Sequence, residues 1–157
     1  MSFRIAGLSP EPFQHLFNLS EDALREHGAR RYVADRKPGF PDRIEIRDAE
    51  PGETLILVNH ICQPANTPYR ASHAIFIREG ATDRFEAIDT IPEALRIRLL
   101  SLRAFDGEGM MIAADVATGA EIEPLIDRLF ADPKVAYLHA QNAREGCYHA
   151  RIDRTDS

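Results

Sequence analysis

Apolar and polar positions alternate along this chain in two distinct rhythms. A period of two marks strands, and a period near 3.6 marks helices. "FRIA" (Phe3–Ala6) opens as a short strand. Ser9-Pro10 then predicts a brief helix with Phe13, Leu16 and Phe17 on one face. Ser20 predicts the cap of a second helix, with Leu19 and Leu24 at staple positions and Gly28 as its stop. Strands follow in "RRYVAD", in "RIEIRD" with Ile44 and Ile46 inward, and in "TLILVNH", whose two apolar faces mark it as central. "HAIFIRE" is its expected partner. Thr90-Ile91-Pro92-Glu93 has the form of a capping box, predicting a helix to about Leu100. "LSLRAFD" and "MMIAADV" read as strands, with Met110 and Met111 in the core. Ile122, Leu125, Ile126, Leu129 and Phe130 fall at i, i+3, i+4, i+7 and i+8, the strongest helical signal in the chain, and Asp132-Pro133 ends it. "VAYLHA" and "CYHARID" close the chain as two strands. The expected fold is α+β: one domain over 1–157, a mainly antiparallel and possibly mixed sheet, and three to four short helices.

Register follows from the same pattern, because a one-residue slip turns every side chain to the opposite face. Pairing Val58 with Ile75 and Ile56 with Ile77 preserves an apolar face and sets His60 opposite His73, at the base of a twelve-residue loop, 61–72. At the C-terminus, pairing Leu138 with Ala150 and Ala136 with Ile152 leaves the loop "NAREG". It puts His139 across from His149, Gln141 across from Cys147, and Tyr137 across from Arg151. Each hairpin is thus expected to carry two neighbouring histidines.

Composition narrows the function classes. A formal charge of −6, with no basic cluster larger than a pair of residues, argues against nucleic acid as a partner. Uninterrupted apolar runs such as Leu55–Val58 are far too short to cross a bilayer, so no membrane partner is expected. The start "MSFRIAGLSP" fits no secretory signal, and two cysteines, Cys62 and Cys147, are too few for a disulfide framework. A cytoplasmic protein with reduced thiols is the expectation. No cofactor is implied, and the oligomeric state is left open.

"KPGFP", "DAEPGETLILVN", "QPANTPYRASHAIFIRE", "GMMIAADV" and "RLFADPKVAYLHAQNAREGCYHARIDR" together resemble an uncharacterised bacterial family, domain of unknown function number 1203. The likeness runs from Phe3 to Arg154. It implies a compact single-domain protein and carries no activity, cofactor or partner with it. Family members commonly have cysteine after "GFP" or "GYP" where this chain has Asp42, so a scheme needing a thiol there fails here.

Three chemistries compete for the polar residues. A zinc shell could draw on His60, Cys62, Cys147 and His149, with His73 and His139 in support, although the spacing matches no established zinc motif. Cys147 could serve as a nucleophile beside His149 and His139. The leading expectation is a pocket for a small anionic polar metabolite, built by the 63–73 loop and the C-terminal hairpin. There Tyr69, Arg70, Ser72, Arg103 and Asn142 would bind, and His73 or His139 would act as general base, with Cys147 at most an accessory nucleophile. Asp106 is expected either to face this site or to pin the loop through an ion pair with Arg70. The competing class is a non-catalytic protein-interaction module using the same loop. A binder should gather His73, Arg70 and His139 in one hollow, whereas a module should spread them over a flat face.

Overall fold

Alternation carries Phe3–Ala6 (β1) into a strand with Phe3 and Ile5 buried and Arg4 in solvent. In the computed structural model, which describes residues 2–155, this strand belongs to the larger of two sheets. That sheet is antiparallel throughout. It runs from Glu86–Ile88 (β7) through β1, Tyr148–Arg154 (β11), Tyr137–Asn142 (β10) and Leu99–Phe105 (β8) to Met111–Thr118 (β9). The second sheet orders Arg30–Val33 (β2), Thr54–Gln63 (β5), Ala71–Arg78 (β6), Pro41–Asp42 (β3) and Arg47–Asp48 (β4), with β3 parallel to β6. The fold class is therefore α+β with mostly antiparallel sheets, one of them mixed.

Each sheet has its own apolar cluster. On the larger one, Ile122–Phe130 (α3) lays its five periodic apolar residues against Leu100, Leu102, Leu138 and Ile152. On the smaller one, a 3₁₀ segment, Glu11–Leu16, and the helix Glu21–Glu26 (α1) cover Ile56, Val58, Ile75 and Ile77. Ser20 Oγ accepts the Ala23 amide at 3.1 Å, and Gly28, at φ 71°, ends the turn as expected. The β5–β6 register is also as expected, with Val58 opposite Ile75 and His60 opposite His73.

Several expectations are corrected. β5 continues to Gln63, so the loop is 64–70 and not 61–72. The "RIEIRD" stretch is not one strand: only its last two residues, Arg47–Asp48, pair as β4. Residues 43–46 form a turn between β3 and β4, and Ile46 lies at φ 48°. Its two isoleucines are buried, but in different clusters: Ile44 under the smaller sheet, Ile46 under the larger. The helix after Thr90 is one turn, Glu93–Arg96 (α2), and Thr90 caps nothing, since its hydroxyl donates to the Ile88 carbonyl at 2.9 Å. Leu100 and Leu102 gain burial by period-two pairing in β8, which overrides helix propensity there. Most of β9 is exposed, an edge strand and not core.

The C-terminal hairpin is displaced by two residues from the expected register. Leu138 faces Ile152, His139 faces Arg151, and Tyr137 faces Asp153. A bulge between Ala140 and Gln141 then sets Gln141 opposite Tyr148. His139 and His149 are not cross-strand partners.

Candidate functional site

The two hairpins converge. The Tyr148 amide donates to His73 Nδ1 at 3.0 Å, and Gln63 Nε2 donates to the Tyr137 hydroxyl at 2.9 Å. Because His73 Nδ1 accepts an N–H, the neutral ring carries its proton on Nε2. Burial lowers the pKa of this imidazole below its ordinary value, and the charges of Arg103 and Arg43 act in the same direction. The protonated Nε2 makes the ring a donor.

Beneath this junction lies an arginine that sequence patterning placed in solvent. Arg43 is 2% exposed. The 43–46 turn that bears it is wedged against the end of β1: a Cβ on Gly7 would lie 1.9 Å from the Ile44 carbonyl oxygen, and the Leu8 amide donates to the Arg43 carbonyl at 2.9 Å. The guanidinium donates from Nε to the Tyr148 carbonyl (2.9 Å), from Nη1 to the Pro41 carbonyl (2.5 Å), and from Nη2 to Cys147 Sγ (3.0 Å). Among the described residues, no carboxylate forms an ion pair with it. The adjacent Asp42 carboxyl is occupied by the amides of Arg78 (2.7 Å) and Glu45 (2.6 Å), and burial raises its pKa. Burial lowers the Arg43 pKa, opposed by the negative charge available at Cys147. A guanidinium nevertheless keeps its proton in a protein, so a positive charge is held in the interior.

Next to it, Arg98 forms a two-point pair with the buried Asp48, at 2.6 and 2.8 Å, and Asp48 also accepts the Gly39 amide at 3.2 Å. Arg43 and Arg98, with Arg36 at the mouth, line a cavity of about 620 Å³. Leu57, Phe76, Pro38 and Pro41 supply its apolar wall, and Ser72, His73, Asn142 and Cys147 its polar one.

Four of the expected site residues thus line one hollow: Ser72, His73, Asn142 and Cys147. The others lie outside its lining. Arg70 donates to the Pro64 carbonyl at 2.6 Å and so closes its own loop. That loop, Tyr69 included, docks on the 106–110 turn through Thr67 Oγ1 and the Gly109 carbonyl, 3.1 Å apart. Asp106 takes the amides of Glu108 (2.9 Å) and Met110 (3.0 Å) in place of the anticipated pair with Arg70. Arg103 stands on β8 opposite His139. His139 is buried among the rings of Phe105, Tyr137 and Tyr148, at centroid distances of 4.9–5.4 Å. Burial, reinforced by the charges of Arg151, His73 and Arg103, pulls its pKa down to about 4.

The four metal candidates do not assemble. His60 packs on Phe13, Cys62 lies 3.2 Å from His73 Nδ1, Cys147 contacts Arg43, and His149 contacts Asn142 Oδ1 at 2.8 Å. Among the described residues there is no group of three or more His, Cys, Asp or Glu able to hold a metal ion. His149 is fully buried, and burial lowers its pKa well below the ordinary histidine value.

Arg36, Arg43, Asp48 and Arg98 were not singled out in the sequence. The only sequence signal for this wall is "KPGFP", whose prolines and glycine resist regular pairing. No helix of the described residues is long and apolar enough to cross a membrane.

Residues 39–154 match the family model described as "Protein of unknown function (DUF1203)", a span that holds every cavity residue named above except Arg36 and Pro38. No curated protein and no solved structure matches the chain.

Proposed function

The chain belongs to the family described as Protein of unknown function (DUF1203), and we propose that this member binds a small organic anion in the cavity between β6 and the β10–β11 turn. The observation that supports this reading is Arg43, a buried positive charge at the cavity wall with no carboxylate partner among the described residues. Burying an unpaired charge costs several kcal/mol in the absence of a compensating group. A carboxylate or phosphate entering the cavity would supply the missing charge, with Arg98 and Arg36 beside it. Leu57 and Phe76 give an apolar body a place to lie, so the ligand class is an anionic head on a short apolar frame. In this scheme His73 serves as an N–H donor to the ligand, not as its base. Both cysteines are free, which suits a reducing, cytoplasmic setting.

Benzoate, benzamide and inorganic phosphate test this directly by thermal shift and calorimetry. Benzoate is expected to stabilise the protein saturably, phosphate less so, and neutral benzamide not at all. Arg36 is exposed, so Arg36→Ala should keep the fold and weaken benzoate roughly 2–5-fold, the worth of one exposed charge contact. Equal binding of benzoate and benzamide, or none of either at millimolar concentration, would overturn the proposal.

A further inference from the structure

The two thiols of this chain sit in opposite hydrogen-bonding environments. Cys62 Sγ lies 3.5 Å from the Ala71 carbonyl oxygen and 3.2 Å from His73 Nδ1, the nitrogen that already accepts the Tyr148 amide. Both neighbours are acceptors, so Cys62 is placed to donate an S–H, and burial pushes its thiol pKa up. Among the described residues, the hydrogen-bond partners of Cys147 Sγ are both donors, Arg43 Nη2 at 3.0 Å and Asn142 Nδ2 at 3.7 Å. Sulfur receiving two N–H groups, one of them permanently cationic, is in the acceptor role that a thiolate fills. It does so at the wall of the cavity.

We propose that Cys147 is a nucleophile that takes the acyl group from a small anionic thioester. This rests on the anion-binding reading of the same cavity: a Cys147 thiolate balances Arg43 only until acylation neutralises the sulfur, and the substrate's own anionic head then takes that place. The substrate class follows from what the sulfur touches. A guanidinium does not give up its proton near neutral pH, and a carboxamide has none to give. His73 turns its Nδ1 to the Tyr148 amide and to Cys62, and His149 is sealed in the interior. With no acid among the described residues in contact with the sulfur, the leaving group must depart unaided as a stable anion. A thiolate does so, whereas an amine or a simple alkoxide does not.

In the step itself, the Cys147 thiolate forms a bond to the thioester carbonyl carbon. The substrate's carbon–sulfur bond breaks and its electron pair leaves with the departing thiolate. One thiolate is consumed and one released, so charge and protons balance without a general acid. Water then attacks the acyl-enzyme and the carbon–sulfur bond to Cys147 breaks, returning the thiolate and releasing the product as a carboxylate, while both protons of the water pass to solvent. Ser72 and His73 stand in the same wall as donors available to the carbonyl oxygen.

The test uses the full chain, a monothioester of succinate as anionic probe, and S-ethyl thioacetate as neutral probe, with peptide mass mapping of both cysteines. Succinylation is expected at Cys147 about tenfold faster than on free cysteine at pH 7. It should exceed the neutral probe by about tenfold or more once intrinsic reactivity is divided out. Benzoate should suppress it. Cys147→Ser should abolish the adduct and Cys62→Ser should keep it; because mapping reads the wild-type chain, the result does not depend on either variant folding. Benzoate binding without Cys147 acylation would overturn the nucleophile and leave the anion site standing. Equal corrected rates for the two probes, without benzoate protection, would overturn the anionic substrate class and the anion site together.

Discussion

Replacing His139 by phenylalanine should remove a defined part of the protein's acid sensitivity. His139 is 3% exposed and enclosed by the rings of Phe105, Tyr137 and Tyr148, with Arg151, His73 and Arg103 as the charged and titratable groups that bear on it. Its pKa falls from an ordinary 6.5 to about 4 in the folded protein, burial being the main cause. Above pH 6.5 both the folded and the unfolded chain hold this ring neutral, and stability is complete. As pH drops through the window from 6.5 to about 4, the unfolded chain takes up a proton that the folded chain refuses, so stability is lost. At about 1.4 kcal/mol per tenfold, the full loss comes to roughly 3 kcal/mol. His139→Phe keeps an aromatic ring among aromatic rings and should be within about 1 kcal/mol of wild type at pH 7. Urea denaturation followed by far-ultraviolet circular dichroism suits a chain with no tryptophan, and would be run at half-unit steps from pH 7.5 to 4.5. His149, also buried, gives both proteins an acid slope, so the difference between them isolates His139. The two curves should separate by about 2.5 kcal/mol on reaching pH 4.5. Parallel curves, or an imidazole titration of His139 near 6.5 by NMR in the folded protein, would refute the reasoning.

Two further substitutions test how the site is held. Gly7→Ala places a methyl group against the Ile44 carbonyl and should displace the turn that carries Arg43. A loss of about 2–3 kcal/mol and a melting point lower by roughly 5–10 °C are expected, readable by calorimetry. Asp48→Asn leaves the Arg98 guanidinium without its two-point partner in a largely buried setting, and should cost about 2–3 kcal/mol in urea denaturation. Glu86→Gln, which disturbs the exposed pairs with Arg84 and Arg4, should stay within about 0.5 kcal/mol on the same measurement.

How far the sequence could be read depended on the period of the signal. The β5–β6 register was legible because matching Val58 with Ile75 and Ile56 with Ile77 keeps one apolar face intact, and the ladder is regular from Leu55 to Ile61, with the irregularity only between Ile61 and Gln63. The C-terminal hairpin was misread by two residues for the same underlying reason. A slip of one reverses the faces and can be rejected, but a slip of two restores them, so the apolar face carries no information that separates 138–150 pairing from 138–152. The bulge at Ala140/Gln141 then decides where His149 goes, and bulges leave no apolar signature. "RIEIRD" failed differently. Four alternating residues describe a half-buried strand, yet equally a turn whose two isoleucines drop into separate clusters. Since alternation assigns Arg43 to the solvent side, the most consequential side chain of the cavity was hidden by the pattern that revealed its neighbours. Arg98 and Asp48 lie fifty residues apart and meet only in three dimensions.

The placement of Ile44 and Ile46 makes the short segment bearing Arg43 a rivet through both halves of the molecule. Loosening either apolar cluster would free one of its two anchors and let the guanidinium drift from the cavity wall. By reciprocity, any anion that grips Arg43 must tighten both clusters at once. Occupancy of the hollow should then be felt as slowed amide exchange in α1 and α3 alike, two helices that cover different sheets.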